Sequence, residues 1–148
     1  MRQSGLDIKC SSKKLCARRF GVRSRARFGS CSNMKVTKVK YILWAADWER
    51  CLRFYESLFE GEVTMRSEVW SEIVVAGSTI GVHGGGEGKR TWTGLSFQLD
   101  DLREGIVQLK QCGGELTREP VDTPEDPLHL AMCIDPDGNE FMMTQKRH

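Results

Sequence analysis

The sequence predicts an α+β domain spanning residues 34–148 and built from two copies of one βαβββ unit. Three observations carry that prediction. The order strand, helix, three strands occurs twice, at a repeat of roughly 50 residues. The hydrophobic period switches from two residues to three or four at Asp47, and again at Asp100-Asp101. A glycine run, Gly84-Gly85-Gly86-Glu87-Gly88, separates module one (about 35–84) from module two (about 91–146).

The first strand is expected from Val36, where Val36, Val39, Tyr41 and Leu43 interleave with Lys38, Lys40 and Ile42. Asp47 then offers a side-chain oxygen to the first free amides of a helix that starts near Trp48. Cys51, Leu52, Phe54, Tyr55, Leu58 and Phe59 recur along it at three- and four-residue spacing, and Gly61 is expected to end it in a left-handed conformation. Strands follow near Glu62 to Arg66, Val69 to Ala76 and Ser78 to His83, the last two joined by a tight turn at Ala76-Gly77-Ser78.

Module two repeats the order. Trp92 to Leu99 reads as a strand with Leu95, Phe97 and Leu99 on one face. Asp100 or Asp101 caps a helix carrying Leu102, Ile106, Val107 and Leu109, which Gly113-Gly114 ends. Strands are expected near Glu115 to Glu119, Leu128 to Ile134 and Glu140 to Gln145, with Asp135-Pro136-Asp137-Gly138-Asn139 as the turn between the last two.

Charge divides the chain at the same boundary as the periodicity. Residues 1–33 hold nine Lys/Arg and one acid, Asp7, whereas the remainder holds 13 bases and 19 acids, a net −6. The basic character therefore belongs to a Ser- and Arg-rich leader and not to the patterned domain, which argues against nucleic acid as a partner. The leader fits a transit peptide, an upstream extension before a start at Met34, or a functional basic tail, and it is expected to be unfolded in each case. No apolar run approaches the ~18 residues a membrane helix needs, so no membrane is expected. Cys10, Cys16, Cys31, Cys51, Cys112 and Cys133 match no zinc or disulfide spacing. Reduced thiols and a cytoplasmic protein are expected, or an organelle if the leader directs import.

Several phrases in these elements resemble the glyoxalase/bleomycin-resistance/extradiol-dioxygenase (vicinal oxygen chelate) superfamily. Arg53-Phe54-Tyr55 with Leu58-Phe59-Glu60-Gly61 resembles its first-helix pattern, and Leu99-Asp100-Asp101-Leu102 resembles the approach to its second helix. Asp135-Pro136-Asp137-Gly138-Asn139 resembles its DPDGN turn, so the likeness runs from Val36 to Thr144. The resemblance implies a mixed sheet curled around a ligand groove, with the helices on its outer face and the groove often completed in a homodimer.

Strand parity then sorts the side chains. Lys40, Ile42 and Trp44 are expected to face the groove on the first strand, and Thr79, Gly81 and His83 on the fourth. Trp92, Gly94, Ser96 and Gln98 follow on the fifth, and Glu140, Met142 and Thr144 on the eighth. Metal-dependent relatives carry four His, Gln or Glu ligands on these faces, and the resemblance places those positions at Lys40, Gly81, Gly94 and Met142. A cation, two hydrogens and a thioether do not suit a hard or borderline divalent ion. The expectation is a metal-free, cofactor-free site for a small molecule, lined by Lys40, Trp44, His83, Trp92, Ser96, Gln98, Glu140 and Met142.

Bland readings stand beside these. Trp44 and Trp92 could wall a flat ligand or simply pack. His83 could touch ligand, act as a base or merely edge a loop, whereas His129 and the terminal His148 are weaker candidates. Glu140 could pair with Lys40, although a solvated acid is the commoner outcome. The glycine run follows a strand without opening a helix, so it reads as a connection and not as a phosphate cradle. The alternative function is a lyase, isomerase or dioxygenase with shifted ligands drawn from His83, His129, Glu72 and Glu140.

Overall fold

Strand β1 (Lys40–Ala45), helix α1 (Trp48–Phe59) and strands β2 (Glu62–Met65), β3 (Trp70–Val75) and β4 (Ser78–Gly84) make up the first module. Strand β5 (Thr91–Leu99), helix α2 (Leu102–Gln111) and strands β6 (Glu115–Leu116), β7 (Leu130–Ile134) and β8 (Asn139–Gln145) repeat the order. This computed structural model describes residues 35–146; the basic leader and His148 lie outside the described residues.

Each module is a mixed four-stranded sheet, in the orders β1-β4-β3-β2 and β5-β8-β7-β6. The first strand of each module runs parallel to its fourth, and the remaining pairs are antiparallel. β1 and β5 are outer strands, so the two sheets do not close into one curled sheet as the resemblance implied. They touch at a corner instead, where Asn139 Nδ2 donates to the Trp44 carbonyl at 3.2 Å.

The helices are fixed as their sequences suggest. Asp47 accepts from Arg50 N and Asp101 from Glu104 N, both at 3.0 Å. These bonds satisfy amides that a helix start leaves unpaired. Helix α1 buries Cys51, Leu52, Phe54, Tyr55 and Leu58. Its ring stack Phe59 on Phe97, 3.8 Å between centroids, and the Phe54–Phe141 contact at 6.1 Å extend the packing into module two. One apolar core therefore serves both sheets. Each fully buried large side chain there contributes roughly 1.5–3 kcal/mol through loss of apolar surface to water.

The turn between β7 and β8 locks onto α1. Asp135 Oδ2 accepts from Tyr55 OH at 3.1 Å, Cys51 Sγ at 3.6 Å and Asn139 Nδ2 at 2.9 Å. Asp135 Oδ1 takes the backbone amides of Asp137 and Asn139. Asp137, fully buried, holds Arg50 at 2.9 Å and the amide of Asp47 at 3.0 Å. The motif that carried the resemblance is thus a clasp between the modules.

Several boundaries differ from the sequence expectation, each for a local reason. Val36 and Val39 are 73% and 77% exposed and precede β1, because the pairing of β1 with β4 begins only at Lys40 and Thr79 and no described strand lies beside them. Glu60, not Gly61, takes the left-handed cap at φ 49°. Gly61 is needed for space, since a Cβ there would overlap Ile73. Val107 is exposed, and Gly105 takes the core position of α2 against Leu99. β6 stops at Leu116 rather than Glu119, and the next strand starts at Leu130 rather than Leu128. Pro120, Pro124 and Pro127 in between lack the amide a ladder requires.

Candidate functional site

The faces of β1, β3 and β4 turned away from α1 form a layered surface. Leu43, Ala45, Ile80 and Val82 are buried on the helix side, which leaves Lys40, Ile42 and Trp44 on the other, as parity predicts. The register then stacks three rows across the sheet. Lys40, Thr79, Val74 and Glu62 form the first; Ile42, Gly81, Glu72 and Met65 the second; Trp44, His83 and Trp70 the third.

Aromatic rings fill the third row. Trp44 lies on His83 at 4.2 Å between centroids, and Trp70 meets His83 edge-on at 6.0 Å. Trp70 also covers Gly81, where a Cβ would overlap its indole. Glycine at this position is a packing requirement: it seats a tryptophan where the resemblance implied a ligand.

Glu72 sits in the middle row, nearly buried, and accepts from three donors. Lys40 and Lys38 each pair with one carboxylate oxygen, Lys38 at 3.0 Å, and Trp70 Nε1 donates at 3.2 Å. The Lys40 ammonium also stands 5.4 Å from the Trp70 ring. Hydrogen bonds from Lys40 and then Lys38 hold the Glu72 carboxyl down at about 2. Neither reading of Glu140 holds: it does not pair with Lys40, which binds Glu72, and it is not a solvated acid but is largely covered and paired with Arg90. Sequence reasoning missed Glu72 as the partner of Lys40, and with it Lys38, Trp70 and Arg90.

On module two, Leu95, Phe97, Phe141 and Met143 are buried, and Trp92, Ser96 and Gln98 are exposed, again as parity predicts. Glu140 and Met142 are half-buried on the same side. Gly94 departs from the expectation. It lies in a bulge between Trp92 and Ser96 and has φ +74°, a backbone conformation that disfavours any side chain.

Two clefts bear on the expected site. One, of about 480 Å³, is lined by Ile42 and Trp44 of module one, the glycine loop, and Trp92 and Thr93 of module two. It brings the two expected tryptophan walls together. Ser96 and Gln98 line a different cleft of about 580 Å³, with Tyr41, Phe59, Leu95 and Phe97 on the helix side. The eight expected residues are thus divided between two clefts and the module faces beside them. His83 reaches the first cleft only through its stack on Trp44.

The donor set does not fit a divalent metal. Lys40 is tied to Glu72, Gly81 is covered by Trp70, and Gly94 is in a left-handed bulge. Met142 offers only a thioether. Nor is the shifted set assembled: His129 bonds the Pro127 carbonyl, Glu72 is held by lysines and Glu140 by Arg90. Among the described residues, no three His, Cys, Asp or Glu side chains are grouped to hold an ion.

Sequence and structure comparisons agree with this architecture. The sequence model of a family described as a glyoxalase-like domain matches residues 40–144. No match is found among curated proteins. Among solved structures, a mutant fosfomycin resistance protein, FosX, from Listeria monocytogenes, complexed with Mn(II) and 1S,2S-dihydroxypropylphosphonic acid, is similar. It is 20% identical with a TM-score of 0.61, and the match covers 74% of this chain and 90% of that one. A glyoxalase/bleomycin resistance protein/dioxygenase superfamily member from Sphaerobacter thermophilus is also 20% identical, with a TM-score of 0.60, over 77% of this chain and all (100%) of its own. An integron cassette protein from Vibrio cholerae is 18% identical with a TM-score of 0.57, over 78% of this chain and 100% of its own. At these identities the likeness concerns the fold.

Proposed function

The chain belongs to the glyoxalase-like domain family, and from that premise we propose that it binds a small organic molecule without a metal ion, a role similar to that of bleomycin-resistance proteins. The observation that carries the reading is the replacement of the ligand positions on module one. Where a metal-dependent relative would need two donors, this chain has an ammonium held by Glu72 and a glycine covered by Trp70. Trp44 and Trp92, 55% and 49% exposed, supply stacking surface to the cleft beside them.

The binding protein is proposed to be a homodimer. Among the described residues β1 and β5 are outer strands with no strand on their second edge, and a second copy could pair with those edges and enclose the groove faces. Light scattering at tens of micromolar should give a dimer mass; a monomer mass counts against the assembly.

Metal analysis of purified protein, together with tryptophan fluorescence, tests the function. Substoichiometric metal and quenching by aromatic ligands are expected. Trp92→Ala should weaken that binding by roughly 1–3 kcal/mol, the usual loss when an aromatic anchor is truncated, while the fold persists. Stoichiometric zinc, nickel, iron or manganese would overturn the metal-free reading in favour of an enzyme.

A further inference from the structure

The charges on the groove faces carry the proposed function one step further, to a ligand class. Glu87 pairs with Lys89 and Glu140 with Arg90, one acid to one base in each case. The cluster on module one is different, because Lys38 and Lys40 share a single carboxylate, Glu72. One positive charge is left over after that match. Glu62, the other acid in these strand rows, is on the outer strand, three strand spacings from Lys40. That is about 14 Å, beyond the ~8–10 Å over which salt leaves exposed charges coupled. The Lys38 and Lys40 side chains are 46% and 33% exposed, so the surplus charge is open to solvent.

The surplus adjoins the aromatic wall. Along β1, Lys40, Ile42 and Trp44 succeed one another on one face, and Ile42 and Trp44 line the cleft that Trp92 shares. Two residues of strand advance about 6.6 Å, so a ring over Ile42 and Trp44 would have an anionic substituent pointing toward the ammonium groups. A cationic ring in the same place would meet the unmatched charge at close range. We propose that the groove binds an aromatic monoanion, its carboxylate on Lys38 and Lys40 and its ring against Trp44 and Trp92.

This inference rests on the small-molecule reading above, and the test separates the two. The full-length protein is titrated at about 0.1–0.15 M salt, where Glu62 stays screened, with naphthoate, naphthamide and naphthylmethylammonium, following tryptophan quenching. Naphthoate is expected to bind about tenfold more tightly than the amide, as a charge-assisted contact gives, and the ammonium probe more weakly still. Lys38→Met, which leaves the Lys40–Glu72 pair in place, should bring naphthoate to within about threefold of the amide. Glu72→Gln, which removes the competing carboxylate, should tighten naphthoate. Equal affinity for the three probes, or a naphthoate preference that survives Lys38→Met, would overturn the anion assignment while the groove reading stands. Absence of quenching by every probe would overturn both.

Discussion

Asp135 and Glu72 are two nearly buried carboxylates held by several donors, yet their surroundings push them in opposite directions. Asp135 lies in the inter-module clasp, where its side-chain donors are the neutral groups of Tyr55, Cys51 and Asn139. Burial raises its pKa above the usual aspartate value, and these hydrogen bonds only partly oppose that. The same buried setting pushes the Tyr55 hydroxyl and the Cys51 thiol up, so both remain protonated donors. Glu72 lies on the groove face, where two ammonium groups stabilise its charge directly. Burial outweighs five neutral donors at Asp135, whereas two ammonium groups outweigh burial at Glu72. Neutral donors in a dry core make a joint, whereas charged donors at a wet surface leave a field that a ligand can use.

The largest effect is expected in the clasp. Asp135→Ala would leave five donors from α1 and the β7–β8 turn without their acceptor in a buried setting. A loss of about 3–5 kcal/mol is expected in urea unfolding, the range for breaking a buried network from one side. A loss under about 1 kcal/mol would show that the shared apolar core and the Asp137 contacts hold the modules without Asp135.

Gly81→Ala comes next and probes the groove face. The new methyl must displace the Trp70 indole, which carries the Nε1 donor to Glu72 and meets His83 edge-on. Overpacking of this kind costs about 1–3 kcal/mol. A change in tryptophan emission should accompany it, and an unchanged spectrum would contradict the seating of Trp70.

The pH dependence separates the two carboxylates by sign. Glu72 titrates lower in the folded protein than its ordinary 4.5, so its contribution is present above that value and is lost as pH falls from about 4.5 to about 2. Asp135 titrates above its ordinary 3.8, so folding takes up protons there; stability from this group rises as pH falls through the raised folded pKa and is fully present below about 3.8. Glu72→Gln should therefore flatten the acid limb of the stability curve, and Asp135→Asn should steepen it. Stability measured by denaturant titration between pH 5 and pH 3 checks both; slopes that move together would mean the two sites share one environment.

Much of the scaffold behind this contrast was legible in the sequence. Alternation placed Lys40, Ile42 and Trp44 opposite Tyr41 and Leu43, because a period of two admits only two faces; Leu43 is buried as that requires, whereas Tyr41 at the strand's start stays half exposed. Asp47 and Asp101 declared the helix starts through short-range chemistry. The site was less legible because its partners are distant in the chain. Lys40 and Glu72 are 32 residues apart and meet only through the β1-β4-β3 register, which no local pattern specifies. The seating of Trp70 has no local signal, because the residue that explains it, Gly81, is informative only by what it lacks. Gly61 has the sequence position of a left-handed helix end, yet its role is to make room for Ile73, and Glu60 takes the left-handed turn.

The smallest stability effect is expected at Lys38, and it is the sharpest separation of the two regions. Its ammonium is half exposed and shares Glu72 with Lys40, so Lys38→Met removes one of two cations while the carboxylate keeps the other and the Trp70 donor. Exposed ion pairs contribute about 0–1 kcal/mol, since water and salt screen them and long side chains lose entropy in forming them. Denaturation midpoints of wild type and Lys38→Met should therefore nearly coincide. The naphthoate titration should not, because the ligand meets the surplus charge that this substitution deletes. A destabilisation comparable to that of Asp135→Ala, without selective loss of anion binding, would make the lysine cluster a second structural clasp and erase the distinction drawn between Glu72 and Asp135.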